Sequence, residues 1–366
     1  MRKWIAVAVA TVFVAAPSGV ATAERGADGG LRDSLEALVR SGVTGAVVRV
    51  DDGQRVRTVT SGVADLASRR PIGAADDFRI ASVTKTFVAT VVLQLVGEGR
   101  IRLTDTVERW LPGAVPGGDR ITLRQLLNQT SGLFDYTEDQ AWLATALADP
   151  ARSWAPRELV AVSVAHPPLF APGAKWAYSN TNYVLAGLIA EAVTGRPLAR
   201  LVAERITGPL RLRDTYLATD ARVRPNHVHG YLPAADGGYT DTTAWTPTMA
   251  GAAGAVISTP PDVARFFRAL LAGELLDRRG LDQMLTTVRV AERNGGYGLG
   301  IYYIDTPCGR VWGHAGDFPG YHTIAYQDRS GRRSAVLMVA TDLDQEPGSL
   351  FDQTVNTMVC QMLGRR

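Results

Sequence analysis

The chain has 366 residues, 46% hydrophobic and 20% charged, with a formal charge of +3. This composition suits a globular protein large enough for two lobes with a cleft between them, and it excludes a disordered chain. The arginines are scattered, with no run longer than the pairs Arg69-Arg70, Arg278-Arg279, Arg332-Arg333 and Arg365-Arg366, so nothing supports a nucleic-acid partner.

Residues 1–23 have the layout of a secretory leader: Arg2 and Lys3, an apolar core from Trp4 to Ala16, then Ala21-Thr22-Ala23 before Glu24. The apolar run of about 13 residues is short for a bilayer span, and no later stretch approaches about 20. Export with cleavage after Ala23 is expected, and a stable membrane anchor is not.

From there the apolar spacing of Leu31, Leu35, Leu38 and Val39 predicts a helix over Leu31–Arg40. Strand-like runs Gly45–Val50 and Arg55–Ser61 flank Asp51-Asp52-Gly53-Gln54, whose Asp-Gly is a hairpin signal. A helix from Ser82 to about Glu98 carries apolar residues around most of its circumference, as a helix buried on nearly all sides would. Between about 103 and 257 the pattern is helical pieces broken by Pro and Gly, at Thr122–Asn128, Pro156–Ala165, Thr181–Val193 and Pro197–Ile206. Alternation returns at Tyr297–Ile304, Arg310–His314, Tyr321–Gln327 and Ser334–Ala340, and Ser349–Leu363 reads as a terminal helix. The expected class is α+β: an antiparallel sheet built from both chain ends (about 31–102 and 258–363), flanked by helices, with an α-rich insertion (about 103–257) and the site in the cleft between them.

The chemistry starts at Phe78-Arg79-Ile80-Ala81-Ser82-Val83-Thr84-Lys85. Residues three apart share a helix face, so Lys85 can reach the Ser82 hydroxyl. A serine is a poor nucleophile until a neighbour takes its proton, and a buried, neutral lysine can do so. With 14 Ser and 3 Lys in the chain, composition alone supplies about 0.1 such pairs. Apart from Lys3 and Lys175 every other basic residue is Arg. Since a guanidinium cannot give up its proton in a protein, a lysine here looks like a demand for a base. A helix opening at Ser82 also leaves its N–H without an intrahelical partner, which suits an oxyanion hole.

Tyr178-Ser179-Asn180 follows the turn residues Pro172-Gly173. In extended backbone the Tyr178 phenol and Asn180 amide face one side, as a proton shuttle and a substrate-amide ligand would; the other reading is Tyr178 as core filler and Asn180 as helix N-cap. Gly313-His314-Ala315-Gly316 ends a predicted strand, where glycines admit a substrate backbone and His314 offers a donor. His227 and His229 lack a third metal ligand nearby and read as a solvated loop. Neither metal nor cofactor is expected. Cys308 and Cys360 fit one disulfide in an exported protein, closing a 52-residue loop worth about 4 kcal/mol on the chain-entropy estimate; the alternative is two buried thiols.

The ordered set Ser82-x-x-Lys85, Tyr178-x-Asn180 and His314-x-Gly316, with Asn128-Gln129-Thr130-Ser131-Gly132-Leu133, resembles the serine β-lactamase and penicillin-binding protein superfamily. Within it the match is to the Streptomyces-type D-alanyl-D-alanine carboxypeptidase and its class C β-lactamase relatives, over about Leu31–Leu363. The class A pattern fits less well, because the second motif is not Ser-Asp-Asn. The resemblance implies that Ser82 is acylated, that Lys85 and Tyr178 relay its proton to the leaving amine, and that Asn180 holds the substrate amide. It further implies electrostatic support from His314 and an oxyanion site at the Ser82 and Asp317 N–H groups. Carboxypeptidases of this type hold the substrate carboxylate with a Thr inside the third motif, a hydroxyl after it and an Arg on the preceding strand. Here those places hold Ala315, Asp317 and Tyr302. An aspartate there is expected to repel a carboxylate unless Arg310 or another base compensates.

The expected function is therefore an exported, monomeric serine hydrolase acting through an acyl-enzyme on a small peptide or β-lactam-like substrate, foremost a D-Ala-D-Ala carboxypeptidase. A β-lactamase, esterase or D-aminopeptidase on the same scaffold is the alternative that Ala315 and Asp317 favour. A non-catalytic β-lactam- or cell-wall-binding domain is the alternative from another class, but a mere binder needs no proton relay.

Overall fold

The structure is a computed structural model that describes residues 27–291, 294–342 and 348–365; the expected leader lies outside them. The chain opens with helix α1 (Ala27–Arg40), strands β1 (Gly45–Asp51) and β2 (Val56–Gly62), the two-residue β3 (Phe78–Arg79) and helix α2 (Thr84–Gly97). Helices α3 (Val107–Trp110), α4 (Leu123–Leu127), α5 (Gln140–Ala148), α6 (Pro156–Val164), α7 (Asn180–Thr194) and α8 (Leu198–Val202) follow. After the short strands β4 (Tyr216–Leu217), β5 (Tyr231–Pro233), β6 (Tyr239–Asp241) and β7 (Val256–Ser258) come α9 (Pro260–Leu271) and α10 (Arg278–Leu285). The chain closes with β8 (Val288–Val290), β9 (Gly295–Tyr297), β10 (Tyr302–Thr306), β11 (Gly309–Phe318), β12 (Tyr321–Gln327), β13 (Ser334–Val339) and α11 (Leu350–Met362).

Eight strands form an antiparallel sheet in the order β2-β1-β13-β12-β11-β10-β9-β8, so the N-terminal hairpin is stitched to the C-terminal strands through Val48↔Leu337 and its neighbours. Leu31, Leu35 and Leu38 of α1 and Phe351, Val355, Met358 and Met362 of α11 are buried on one face with Ala46, Val48 and Leu337. Helix α9 packs on the other face, and Phe266 stacks on Phe87 of α2 with ring centroids 3.7 Å apart. Because α2 is buried on nearly all sides, its hydroxyls need partners. Thr84 Oγ1 accepts from Val256 N, and Thr86 Oγ1 donates to Gly300 O.

The observed structure departs from the expected elements in three places, and adds a helix outside them. Ser82 lies in a 3-10 turn, Ala81–Val83, and the α-helix begins at Thr84. Tyr297–Ile304 is two strands, because Gly298 N–H donates to Ile301 O in a turn whose Gly300 (φ 75°) wedges against α2; a Cβ there would lie 2.5 Å from Ala89 Cβ. Strand β11 runs on to Phe318, so Gly313–Gly316 is mid-strand rather than a strand end. Helix α9 opens on Pro260-Pro261, residues that look like breakers but occupy the first turn, where a missing N–H costs nothing and Thr259 caps Asp262 N.

Cys308 and Cys360 are disulfide-bonded, with Cα atoms 5.2 Å apart, joining the β10–β11 turn to α11. His227 and His229 stack on each other 4.7 Å apart, and their Nδ1 atoms contact Arg224 O and Asp241. Among the described residues no group of three or more His, Cys, Asp or Glu could hold a metal, and no helix is long and apolar enough to cross a membrane.

Candidate active site

Ser82 is presented by strained backbone. Strand β3 pairs with β7, Ile80 N–H donates to Val256 O, and Ala81 takes φ 47°, a left-handed conformation uncommon outside glycine. That bend turns the Ser82 side chain toward Lys85 and Tyr178. Lys85 Nζ and Tyr178 OH each donate to Ser82 Oγ, both at 2.9 Å. Lys85 is 0% exposed, and its other two donors reach Asn180 Oδ1 at 2.7 Å and Ala253 O at 2.8 Å. Its Nζ also lies 4.9 Å from the Tyr178 ring centroid. Either neighbour, once deprotonated, is placed to take the serine proton.

The amide of Asn180 is held at both ends. Its Oδ1 accepts from Lys85, and its Nδ2 donates to Asp135 Oδ2 at 3.0 Å and to Thr137 Oγ1 at 3.3 Å. Asn180 is thus the first residue of α7 and not its cap, the N-cap position falling to Ser179. Burial pushes the Asp135 carboxyl above the ordinary range, while the Thr137 and Asn180 hydrogen bonds and the Lys85 charge oppose that.

Gln129, in left-handed backbone (φ 65°), ties the Asn128–Leu133 segment to this loop: its Oε1 accepts from Ser179 N and Asn182 Nδ2. Phe134 O accepts from Ser163, Ser179 and Thr181 hydroxyls. The segment acts as a buckle under the Tyr178–Asn180 turn. Asp135 and the Ala253 carbonyl carried no sequence signal of their own, since their contacts to the site span 45 and 168 residues.

On the other wall, β10 pairs with β11 only as far as Tyr302↔Gly313. Beyond it Gly316 comes against the Ser82 turn so closely that a Cβ would lie 2.3 Å from Ile80 O and 2.7 Å from Ser82 N. The strand backbone and the Ser82 N–H therefore share one groove. His314 is 2% exposed; its Nδ1 contacts Ala315 O at 2.5 Å, so it carries the hydrogen there, and its Nε2 lies 3.0 Å from Tyr297 OH. Tyr297, itself buried, stands edge-on to Tyr178 and links His314 to the wall behind the phenol.

Asp317 does not stand as a bare charge at the groove. Its carboxylate contacts His322 Nδ1 at 2.5 Å, and His322 Nε2 lies 3.2 Å from Asp342 Oδ1. Arg310 is not the compensating base, since it pairs with Asp305 at 2.7 Å and lies over the Tyr303 ring. Of the two compensating groups the sequence allowed, Arg310 or another base, the one beside Asp317 is a histidine on the neighbouring strand, His322.

A family description, Beta-lactamase, matches residues 31–354. The chain belongs to the beta-lactamase family and is a serine hydrolase of the β-lactamase/penicillin-binding type. The crystal structure of a D-stereospecific amidohydrolase from a Streptomyces species superimposes with a TM-score of 0.84 at 40% identity, covering 93% of this chain and 99% of that one. Penicillin-binding protein 4* of Bacillus subtilis is 28% identical over 324 residues, 82% of this chain and 69% of that protein. The D-aminopeptidase of Brucella anthropi is 30% identical over 327 residues, 83% of this chain but 58% of that longer protein, so the chain spans little more than half of it.

Proposed function

We propose that the protein is an exported hydrolase of amides of D-amino acids, acting through an acyl-serine. The observation that carries the chemistry is Ser82 Oγ held at 2.9 Å from both Lys85 Nζ and Tyr178 OH. Ser82 Oγ attacks the amide carbonyl, and the negative oxygen is received by the N–H groups of Ser82 and Asp317. The serine proton passes through Lys85 and Tyr178 to the leaving nitrogen as the C–N bond breaks, and water then hydrolyses the ester, returning the proton. Asn180 lines the substrate amide's path while orienting Lys85. The likeness to the D-stereospecific amidohydrolase supports the D-amide preference. So does the third-motif region, where Ala315, Tyr302 and the His322-paired Asp317 offer no cation on the groove side for a free carboxylate. The carboxypeptidase reading stands second, supported by the likeness to a penicillin-binding protein. Export rests on the leader-like residues 1–23 together with the Cys308–Cys360 bond.

The test is release of ammonia from D-phenylalaninamide and its L enantiomer and of D-alanine from a D-Ala-D-Ala peptide, with intact mass following the acyl-enzyme. D-amide turnover at least tenfold above the other two is expected. Ser82→Ala, which keeps a good helix former at the site, should be folded and form no acyl adduct. Acylation of that variant would remove the mechanism, and preference for the free-carboxylate peptide would restore the carboxypeptidase reading.

A further inference from the structure

We propose that His322 is a positioning residue for the oxyanion strand: clamped between Asp317 and Asp342 behind the sheet, its ring fixes the Gly316–Asp317 backbone against the Ser82 turn. Side chains alternate along a strand, so with Gly316 facing Ser82 the Asp317 carboxylate lies on the opposite face. There the β11–β12 register sets Asp317 directly against His322, and β13 sets Val339 on the other side of it. Asp342 follows β13, and its Oδ1 also accepts from Gly320 N at 3.1 Å, at the apex of the β11–β12 turn. One carboxylate therefore pins the turn, and the ring between the two pins its base.

A neutral imidazole has a single N–H and can donate to only one carboxylate. Nδ1 lies 2.5 Å from Asp317 in a hydrogen bond and Nε2 lies at ion-pair distance, 3.2 Å, from Asp342, so each nitrogen can offer a proton to its carboxylate only in the doubly protonated ring. Burial opposes that charge, and the Asp317 and Asp342 carboxylates outweigh it, raising the group to about 9. Among the described residues, the carboxylates acting on the ring are Asp317 from β11 and Asp342 after β13, while α11 brings the uncharged Phe351 ring at 6.2 Å. Below that pH the clamp is complete. As pH rises through it, one link is lost and the peptide bearing the Asp317 N–H is released from behind.

This inference rests on the reading of the Asp317 N–H as an oxyanion donor, and its test separates the two. Wild type, His322→Gln, Asp342→Asn and Ser82→Ala are compared on p-nitrophenyl acetate, an ester that does not depend on the D-amide assignment, from pH 6 to 10.5. In His322→Gln, kcat should fall about 10- to 100-fold at pH 7 with KM changed less than about threefold, because the transition-state oxyanion is affected and ground-state binding is not. Wild type should lose kcat with an alkaline inflection near 9 that is absent in His322→Gln. In Asp342→Asn the inflection should move to lower pH, since one of the two carboxylates holding the proton is gone. If His322→Gln fails to fold by circular dichroism, Asp342→Asn decides alone. An inflection unmoved in Asp342→Asn, or wild-type kcat in His322→Gln, would overturn the positioning role. Ester turnover surviving in Ser82→Ala would overturn the acyl-serine reading instead, and the reason for a clamp with it.

Discussion

Lys85 is where residue chemistry and residue spacing agree. The three-residue offset and the scarcity of lysine pointed to it, and the fold surrounds its Nζ with three oxygens at 2.7 to 2.9 Å, none of them from a carboxylate. A guanidinium carries its donors in a rigid plane, cannot fit that converging set, and has no removable proton. Lys85→Arg should therefore lower kcat/KM on D-phenylalaninamide by about 10²- to 10⁴-fold, the span of a lost general base. Turnover within about threefold of wild type would reduce Lys85 to an electrostatic role. Asp135 shows the limit of reading by spacing. Its carboxylate sets which way the Asn180 amide faces, but that depends on two loops 45 residues apart meeting in a buried place, and no local pattern encodes it. Asp317 could be located in sequence but not understood there, because its partner His322 lies across a strand pair and on the far face.

At the scale of elements, the hairpin and the terminal helix were legible because each has a clean period, and α2 because its apolar run is too long for a strand, although its start falls at Thr84 rather than Ser82. The far half of β11 was not, since Gly316 and Asp317 lower strand propensity where strand is imposed by pairing with β12. The glycines there answer to close approach. At Gly316 a Cβ would meet two backbone atoms, Ile80 O at 2.3 Å and Ser82 N at 2.7 Å, neither able to rotate aside. Gly316→Ala must push the strand and the Ser82 turn apart by several tenths of an ångström or more, which should cost about 100-fold in kcat. Gly97→Ala is the matching control: nothing lies within 4 Å of its Cβ position at the end of α2, so activity should be kept and helix stability slightly gained. Equal activity of the two variants would mean that the strand does not bear on the Ser82 turn.

For the whole molecule, the decisive arrangement is a sheet whose β1–β2 hairpin and β8–β13 strands come from opposite ends of the sequence, with helices packed against it. The alternating patterns announced the strands, but the order β1-β13 is a choice among pairings that only packing of α1 against α11 resolves. The disulfide strengthens the C-terminal half of that arrangement, tying the β10–β11 turn to α11 across 52 residues. On the chain-entropy estimate a loop of that size contributes about 4 kcal/mol, which in a chain of this length corresponds to a melting shift of about 5 °C. Activity is a separate matter. Gly309, beside the bridge, and Gly316, at the Ser82 turn, are both in β11, and at about 3.4 Å per residue they stand roughly 24 Å apart. The variant Cys308→Ser with Cys360→Ser should therefore melt markedly lower while keeping kcat at 25 °C within about twofold. Protein denatured without reductant should show no titratable thiol. Two free thiols in material recovered from an oxidising compartment, or an unchanged melting temperature in the double variant, would deny the bridge its part in stability, and a large loss of kcat would show that the β10–β11 turn reaches the active site after all.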